Sequence, residues 1–566
     1  MPDMDLRLEN VTVAEAYLRL LKLRGIDYLF ANAGTDFAPI IEAFASAEDA
    51  AEAMPIPVLV PHENVAVAMA MGHALVSGKP QAVMVHVNVG TANAMCGLMN
   101  ANRMQVPMLF TAGRTPILES GAPGARSGFI HWPQEMFDQA AIVREMVRWD
   151  YELRDSRQLE AVVDRALAMA GSSPAGPVYL TLPREVLATN IESIEFDGAS
   201  TIHPARPGLP PATALEEVAG WLETAKRPVL VTSATGRTQE GLEALEAFAL
   251  ALAIPVVPYN PRFMEISHDH PMNMGPDLSH FLPDADLVIV SETIAPWIPD
   301  QVHPSSGCKV IQIGEDPLFR DLPMRSFRAD ATLAGSPAQI FNALLDRIQD
   351  DKQVGPRRDR LLALKSQKSA SATSEDEAAM PTPRDVTLAI AKVCAGVPVF
   401  KESPALLDDF ALDRAGTFFF SGASGGLGWS MGAALGASLA MDREPVIVTV
   451  GDGSYMFNTP LAAHHAAAAQ SIPLLTVIYN NCAWNAVRRS THGMYPNGHS
   501  KAAAKEPLTD FAVDFDYARM MDVAGGHGER VDRVDALLPA LERAMAALRN
   551  GRQALVDVRI SAGRKT

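Results

Sequence analysis

Two short polar signals interrupt apolar runs in the last third of the chain. Val446–Val450 stops at Gly451-Asp452-Gly453-Ser454, and Leu474–Tyr479 stops at Asn480-Asn481. Such runs read as buried strands, and Thr459–Gln470 between them reads as the crossover helix that keeps two strands parallel. Ligands of an open parallel sheet bind at the carboxyl ends of its strands, so an acid and an amide meet at one edge. The chemistry this pair suits is a hard cation holding a phosphate. Mg2+ takes oxygen ligands in an octahedron and keeps phosphate and water in its shell, so Asp452, Asn481 and one main-chain carbonyl suffice from the protein. Glycines flanking Asp452 let the backbone approach the phosphates closely.

Other residues with chemical potential also sit where apolar runs end. Glu63 lies just past the strand Pro57–Val60, at the mouth of a helix running to Val76. An acid there either complements the helix macrodipole or holds a proton for catalysis. Ser424-Gly425-Gly426-Leu427-Gly428 follows the run Phe418-Phe419-Phe420, and its glycines permit a tight turn. Gly422, Gly426 and Gly428 also fit a dehydrogenase fingerprint; no Tyr-x-x-x-Lys pair follows it, and it leaves Asp452 and Asn481 unexplained. His86 ends the strand Ala82–Val87 beside Gly90 and is either an acid–base group or a satisfied structural histidine. His464 and His465 fall inside the crossover helix and read as structural.

The elements that must position these residues repeat. Val11–Arg24 carries a helical apolar stripe stopped by Gly25; strand Tyr28–Ala31 follows, with the loop Asn32-Ala33-Gly34-Thr35 at its end. Strand Pro57–Val60, helix Asn64–Val76, strand Ala82–Val87, helix Ala92–Ala101 and strands Met108–Ala112 and Val178–Leu182 complete a doubly wound α/β unit over residues 1–190. A proline-rich linker over 191–212 precedes a second α/β unit over 213–349, with strands Val229–Thr232, Val256-Val257, Leu287–Ser291 and Val310–Ile313. A second linker over 350–383 leads to the third unit over 384–566, which ends in strand Ala554–Ile560. Three parallel-sheet α/β domains are expected.

The pattern Gly-Asp-Gly, twenty-six residues, Asn-Asn resembles the diphosphate motif of thiamin-diphosphate enzymes. The three units resemble, over nearly the whole chain, the pyrimidine-binding, central and diphosphate-binding domains of the acetolactate synthase and pyruvate decarboxylase superfamily. The resemblance implies thiamin diphosphate with Mg2+ held by Asp452, Asn481 and the carbonyl of Ala483. Gly425, Gly426, Leu427, Gly453 and Ser454 would complete the cofactor contacts, with Leu427 propping the two rings into a bent conformation. Glu63 would hydrogen bond N1′ of the aminopyrimidine. The active-site pattern looks like that of benzoylformate decarboxylases, which carry a histidine at the spacing of His86, a serine where Thr35 stands and a second histidine matching His270. His270 also fits a mere loop role, since a His-Pro pair there is common across the superfamily. Ser421 and Ser490 replace phenyl rings of that pattern, which makes the pocket more polar. Val487 stands where pyruvate decarboxylases have a catalytic glutamate, and Arg488 and Arg489 form either a solvated basic turn or a contact to a second acidic group of the substrate. Nonoxidative decarboxylation of a 2-oxoacid leads; an acetolactate-synthase-like carboligase or a 2-hydroxyacyl-CoA lyase follows, and a noncatalytic cofactor-binding member is remote. The cofactor would lie between two subunits, so a homodimer or a homotetramer built as a dimer of dimers is expected.

Composition narrows the partners. A net charge of -18 over 566 residues argues against a nucleic-acid polyanion. Four cysteines without CxxC spacing indicate neither a zinc site nor a disulfide framework. The acidic amino terminus lacks an apolar core, and no apolar run reaches about eighteen residues, so export and membrane insertion are not expected and a cytoplasmic location is. The central unit approaches a glycine fingerprint only at Thr232–Arg237, so FAD is not indicated.

Overall fold

Short apolar runs closed by polar or glycine loops become parallel strands, and the amphipathic stretches between them become crossover helices. The computed structural model describes residues 5–349, 351–367, 379–503 and 505–561. In the first unit β1 (Leu6–Thr12), β2 (Tyr28–Asn32), β3 (Ile56–Leu59), β4 (Gln81–Val85), β5 (Met108–Arg114), β6 (Asp150–Glu152), β7 (Pro177–Pro183) and β8 (Asn190–Phe196) follow one another. Six of them form a parallel sheet of order β3-β2-β4-β5-β7-β6, while β1 and β8 pair antiparallel beside it. The second unit holds β9 (Pro228–Thr232), β10 (Val256–Pro258), β11 (Leu287–Ser291), β12 (Lys309–Gly314) and β13 (Ala331–Ala334) in the order β10-β9-β11-β12-β13. The third holds β14 (Val399–Glu402), β15 (Phe418–Phe420), β16 (Val446–Gly451), β17 (Leu474–Asn480), β18 (His527–Val531) and β19 (Ala554–Arg559) in the order β15-β14-β16-β17-β19-β18. Every ladder in the three large sheets is parallel, so the expected fold class is borne out.

Several boundaries fall elsewhere than the sequence suggests. The stretch read as helix from Val11 begins as the end of β1, and the helix spans Val13–Leu23, with the Thr12 hydroxyl accepting from the Glu15 amide as N-cap. The strand read as Ala82–Val87 stops at Val85. The helix read as Ala92–Ala101 is two helices, Val87–Asn93 and Met95–Arg103. The 191–212 linker starts late, because β8 uses its first residues to pair with β1. The 350–383 linker begins with a helix, Val354–Gln367, tied to the second unit: the buried Arg357 donates to the carbonyls of Leu222, Ala225 and Leu252 and pairs with Asp351. Residues 368–378 of that linker lie outside the described residues.

One helix pair joins the first and third units. Helix Glu63–Ser77 packs lengthwise on helix Ser430–Ala440, and small residues let the backbones touch: a Cβ on Gly72 would lie 1.8 Å from the carbonyl oxygen of Ala433. Both helices are buried nearly all round. A second junction brings in the middle unit, where the carbonyl of Arg262 accepts from the amide of Phe420 and its guanidinium donates to the carbonyl of Arg103.

Candidate active site

The third unit supplies an oxygen-rich corner. Asp452 follows β16 directly, Asn481 follows β17, and the two strands pair in parallel up to Gly451 opposite Tyr479. After Asn481 the chain turns through Cys482, which has a left-handed φ of 53°, so that the amides of Cys482 and Ala483 face the Asp452 carboxylate. The Asn481 Oδ1 accepts from the Ala483 amide at 3.0 Å, and the Asp452 Oδ1 accepts from the Gly453 amide at 3.0 Å. Asp452 is 2% exposed, and its Oδ2 has no hydrogen-bond partner among the described residues. Burial pushes the carboxyl up to about 6, a cost that a cation on Oδ2 would remove. An orphaned carboxylate oxygen at one strand end, with an amide side chain at the end of the paired strand, is the kind of donor a hard cation takes. Gly453 has an additional reason to be glycine: a Cβ there would collide with the ring of Trp484.

Asn480 and Asn481 do different work. Asn480 is wholly buried, donates to Asp557 at 2.9 Å and accepts from Arg559 and the Cys482 amide, so it fastens the turn from beneath. The turn is also clasped from outside, where the Trp484 amide donates to the Thr509 carbonyl and the Phe511 amide to that of Cys482. Arg488 holds this clasp. It is 5% exposed, pairs with Glu506 at 3.0 Å and also with Asp510, while His492 meets Glu506 at 2.6 Å. Arg488 therefore departs from the reading of a solvated basic turn: two of its nitrogens are taken by Glu506 and Asp510, and its Nη1 is buried without a partner among the described residues. Arg489 and Ser490 are exposed on the same helix, as is Val487.

The glycine loop is positioned from both sides. Gly428 has a φ of 93°, and a Cβ there would strike the Phe457 carbonyl, so only glycine turns the chain into helix Ser430–Ala440. Glu402, at the end of β14, accepts from the amides of Gly428, Trp429 and Ser430 and from the side chains of Ser430 and Asn458. This buried carboxylate fixes the helix start. Sequence reasoning passed over it, although an acid at the end of a strand was the available signal. On the other side Asn100 donates to the Gly426 carbonyl at 2.8 Å, Asn64 to that of Gly428, and the Cys96 thiol lies 3.9 Å from that of Leu427. Gly425 is exposed and Leu427 half-buried in this loop.

The first unit supplies a cluster of acid, amide and imidazole. Glu63 is the first residue of its helix, is 8% exposed, and accepts from Asn93 at 3.1 Å. His86 stands just past β4, and its Nδ1 lies 2.5 Å from Oδ1 of Asp36, a buried residue in the turn Thr35–Phe37 after β2. The carboxylate of Asp36 raises the imidazole's pKa above its ordinary value against the opposing effect of burial, with Glu63 adding to the rise. Gln134 approaches Nε2 of His86 at 3.4 Å, and the nearby His131 is buried and pushed below its ordinary pKa. Thr35 is exposed next to Asp36, with its carbonyl accepting from Arg184. Asp36 was missed because its loop carried no signal beyond Gly34-Thr35.

His270 lies in a loop of the second unit after β10, where its Nδ1 accepts from the Met272 amide. His464 is buried in helix Pro460–Ala469, bonded to Tyr455 and Gln553.

Comparison with known proteins matches these units to one family. The chain fits the thiamine pyrophosphate enzyme N-terminal TPP binding domain over residues 11–142, the central domain over 215–344 and the C-terminal TPP binding domain over 405–558. The last model spans Gly422–Gly428, which removes the ground for a dinucleotide fingerprint there. The chain is 28% identical over 499 residues to a benzoylformate decarboxylase of Pseudomonas aeruginosa, covering 84% of this chain and 87% of that one. It is 23% identical to the large subunit of acetolactate synthase isozyme 3 of Escherichia coli, covering 98% and 95%. The crystal structure of benzoylformate decarboxylase from Polynucleobacter necessarius superposes with a TM-score of 0.80 at 22% identity, over 98% of this chain and 99% of that one. The chain belongs to the thiamin-diphosphate-dependent enzymes of the decarboxylase and acetolactate synthase family.

Proposed function

We propose that the protein uses thiamin diphosphate and Mg2+ to decarboxylate a 2-oxoacid without oxidation. The observation that carries this reading is His86, an imidazole held at the strand edge within the field of Glu63, in a chain whose position 487 offers no acid. The side-chain oxygens of Asp452 and Asn481 and the carbonyl of Ala483 would hold Mg2+, and with it the diphosphate. Gly425, Gly426, Leu427, Gly453 and Ser454 would line the cofactor, and the carboxyl of Glu63 would hold a proton at N1′ of the aminopyrimidine. Bound thiamin diphosphate supplies a nucleophilic carbon for the substrate carbonyl and an electron sink for the bond that breaks. His86 gives and takes protons at Nε2 on the substrate side, and Thr35, exposed next to Asp36 in the chain, can donate a hydrogen bond to the acid's carboxylate.

Apolar side chains exposed near the strand ends that carry Glu63 and Asp452, among them Leu59, Phe457 and Leu461, support association of at least two copies, as a homodimer or a homotetramer. Among the described residues no helix is long and apolar enough to cross a membrane. The four unpaired cysteines support a reducing, cytoplasmic setting.

The test is a panel of 2-oxoacids incubated with holoprotein, with the products identified. Equal amounts of CO2 and the aldehyde one carbon shorter support the reading. A joined carbon skeleton would instead make the protein a carboligase of the acetolactate type, and no turnover across the panel would end the catalytic claim.

A further inference from the structure

Around His86 the chain has made room for a second residue. A Cβ on Gly34 would lie 2.2 Å from the His86 ring, and one on Gly113 would lie 1.8 Å from Oδ2 of Asp36. Two strand-end glycines thus leave the space that Asp36 and His86 fill. Val87, directly after His86, takes a φ of 34°, a strained value for a β-branched residue, and in doing so aims its amide at Asp36 Oδ2 at 3.3 Å. Asp36 is 3% exposed and His86 half-buried, so the carboxylate is spent on the ring and the Val87 amide, while Nε2 on the far side of the ring faces the Gln134 amide.

We propose that Asp36 is a positioning residue for the acid–base chemistry of His86: it takes the Nδ1–H bond, fixes the ring's orientation and tautomer, and leaves Nε2 as the proton-transferring atom. The inference rests on the reading of His86 as the acid–base group. As the substrate's carbonyl is consumed, the N–H bond at Nε2 breaks and its electron pair stays on the ring. An O–H bond forms on the former carbonyl oxygen, and Asp36 keeps its charge and its hydrogen bond throughout. A neutral ring with its hydrogen on Nδ1 can accept the proton back at Nε2, where Gln134 now approaches. The other charged or titratable groups facing the ring are Glu63 from its helix and His131 from the loop after β5; Arg126 and Arg184 face His131. Asp36 is the leading cause of the elevation of His86, so the imidazolium survives to higher pH in its presence and titrates at lower pH in its absence.

The experiment uses holoprotein, with Asp36→Asn, which keeps the side chain's size, and His86→Gln. His86 reactivity towards diethyl pyrocarbonate is followed by mass spectrometry from pH 5 to 8.5, alongside pH profiles of kcat/KM. In wild type the modification midpoint should lie above about 6.5, the ordinary value. In Asp36→Asn it should fall by at least about one pH unit, with kcat/KM down about tenfold to a hundredfold and thiamin diphosphate affinity unchanged. In the His86→Gln background, Asp36→Asn should cost nothing further. An unmoved midpoint in Asp36→Asn, or a full additional loss in the double variant, would overturn the proposal. If Asp36→Asn fails to fold, a wild-type midpoint at or below the ordinary value overturns it alone. The modification midpoint needs no turnover, so a protein inactive on every 2-oxoacid leaves this test standing while ending the decarboxylase reading.

Discussion

Replacing Gly436 by alanine tests whether the buried helix pair is the frame of the site. A Cβ on Gly436 would lie 1.8 Å from the carbonyl oxygen of Met69, with the carbonyl carbon next nearest at 2.5 Å. Ordinary contact begins near 3.4 Å, so the helices must separate locally by about 1.5 Å, and backbone cannot rotate aside as a side-chain tip can. Overpacking of this kind costs about 1–3 kcal/mol, and the backbone obstacle puts Gly436→Ala at the upper end. The substitution also gains about 0.5–1 kcal/mol of helix propensity, leaving a net loss of roughly 2 kcal/mol. Gly220 is the control: it lies in helix Ala212–Thr224 with nothing within 4 Å of its Cβ position, so Gly220→Ala keeps the propensity gain alone. Calorimetry of the cofactor-free protein should show the transition that includes helix Ser430–Ala440 falling by several degrees in Gly436→Ala and rising slightly in Gly220→Ala. Because Glu63 and the Leu427 loop sit at the starts of the two helices, Gly436→Ala should also weaken thiamin diphosphate binding. If both alanines stabilise, the close packing of the pair is wrong.

Asp452→Asn removes a buried charge that lacks a partner on Oδ2; it should raise the stability of the cofactor-free protein yet weaken Mg2+-dependent cofactor binding at least about tenfold, read by scanning calorimetry and titration calorimetry. Arg488→Ala removes the guanidinium that Glu506 and Asp510 share and leaves the buried Glu506 to His492 and Thr509, a partial break that costs up to about 3 kcal/mol, so the 505–511 segment should become sensitive to limited proteolysis while the rest of the chain resists. Glu265 in the middle unit is buried without exposure, and burial pushes it up to about 7. Its folded pKa exceeds the unfolded value of about 4.3, so its charge burdens the fold above pH 7 and the burden lifts as pH falls through 7. Glu265→Gln should therefore be more stable than wild type at pH 8.5, by up to about 3 kcal/mol, with the difference shrinking towards pH 5 in urea unfolding.

What could be read from the sequence follows the range of the forces involved. Strand ends are marked locally: Gly451-Asp452-Gly453 and Asn480-Asn481 announce themselves where apolar runs stop, and the fold class follows from their repetition. Helix Val354–Gln367 was hidden in a charged stretch because what holds it is Arg357, reaching carbonyls more than a hundred residues earlier. Arg488 looked solvated for the same reason, since Glu506 and Asp510 come to it through a folded-back segment. Asp36 was invisible because its carboxylate acts on a distant residue, His86, and Glu402, although it ends a strand, shows its purpose only through the distant turn at Gly428. Side chains whose partners lie on another element carry little local pattern, and in this site they support the groups that the sequence marks.

The measurement closest to the central claim is exchange of the C2 proton of bound thiamin diphosphate for deuterium, followed by quenched NMR in wild type and Glu63→Gln. It needs no substrate and reads only whether the buried carboxyl at the start of helix Glu63–Ser77 serves the cofactor. Wild type should exchange orders of magnitude faster than free cofactor, and Glu63→Gln should bind the cofactor yet exchange about as slowly as the free form. Exchange at the wild-type rate in Glu63→Gln, or no acceleration in wild type, would contradict it.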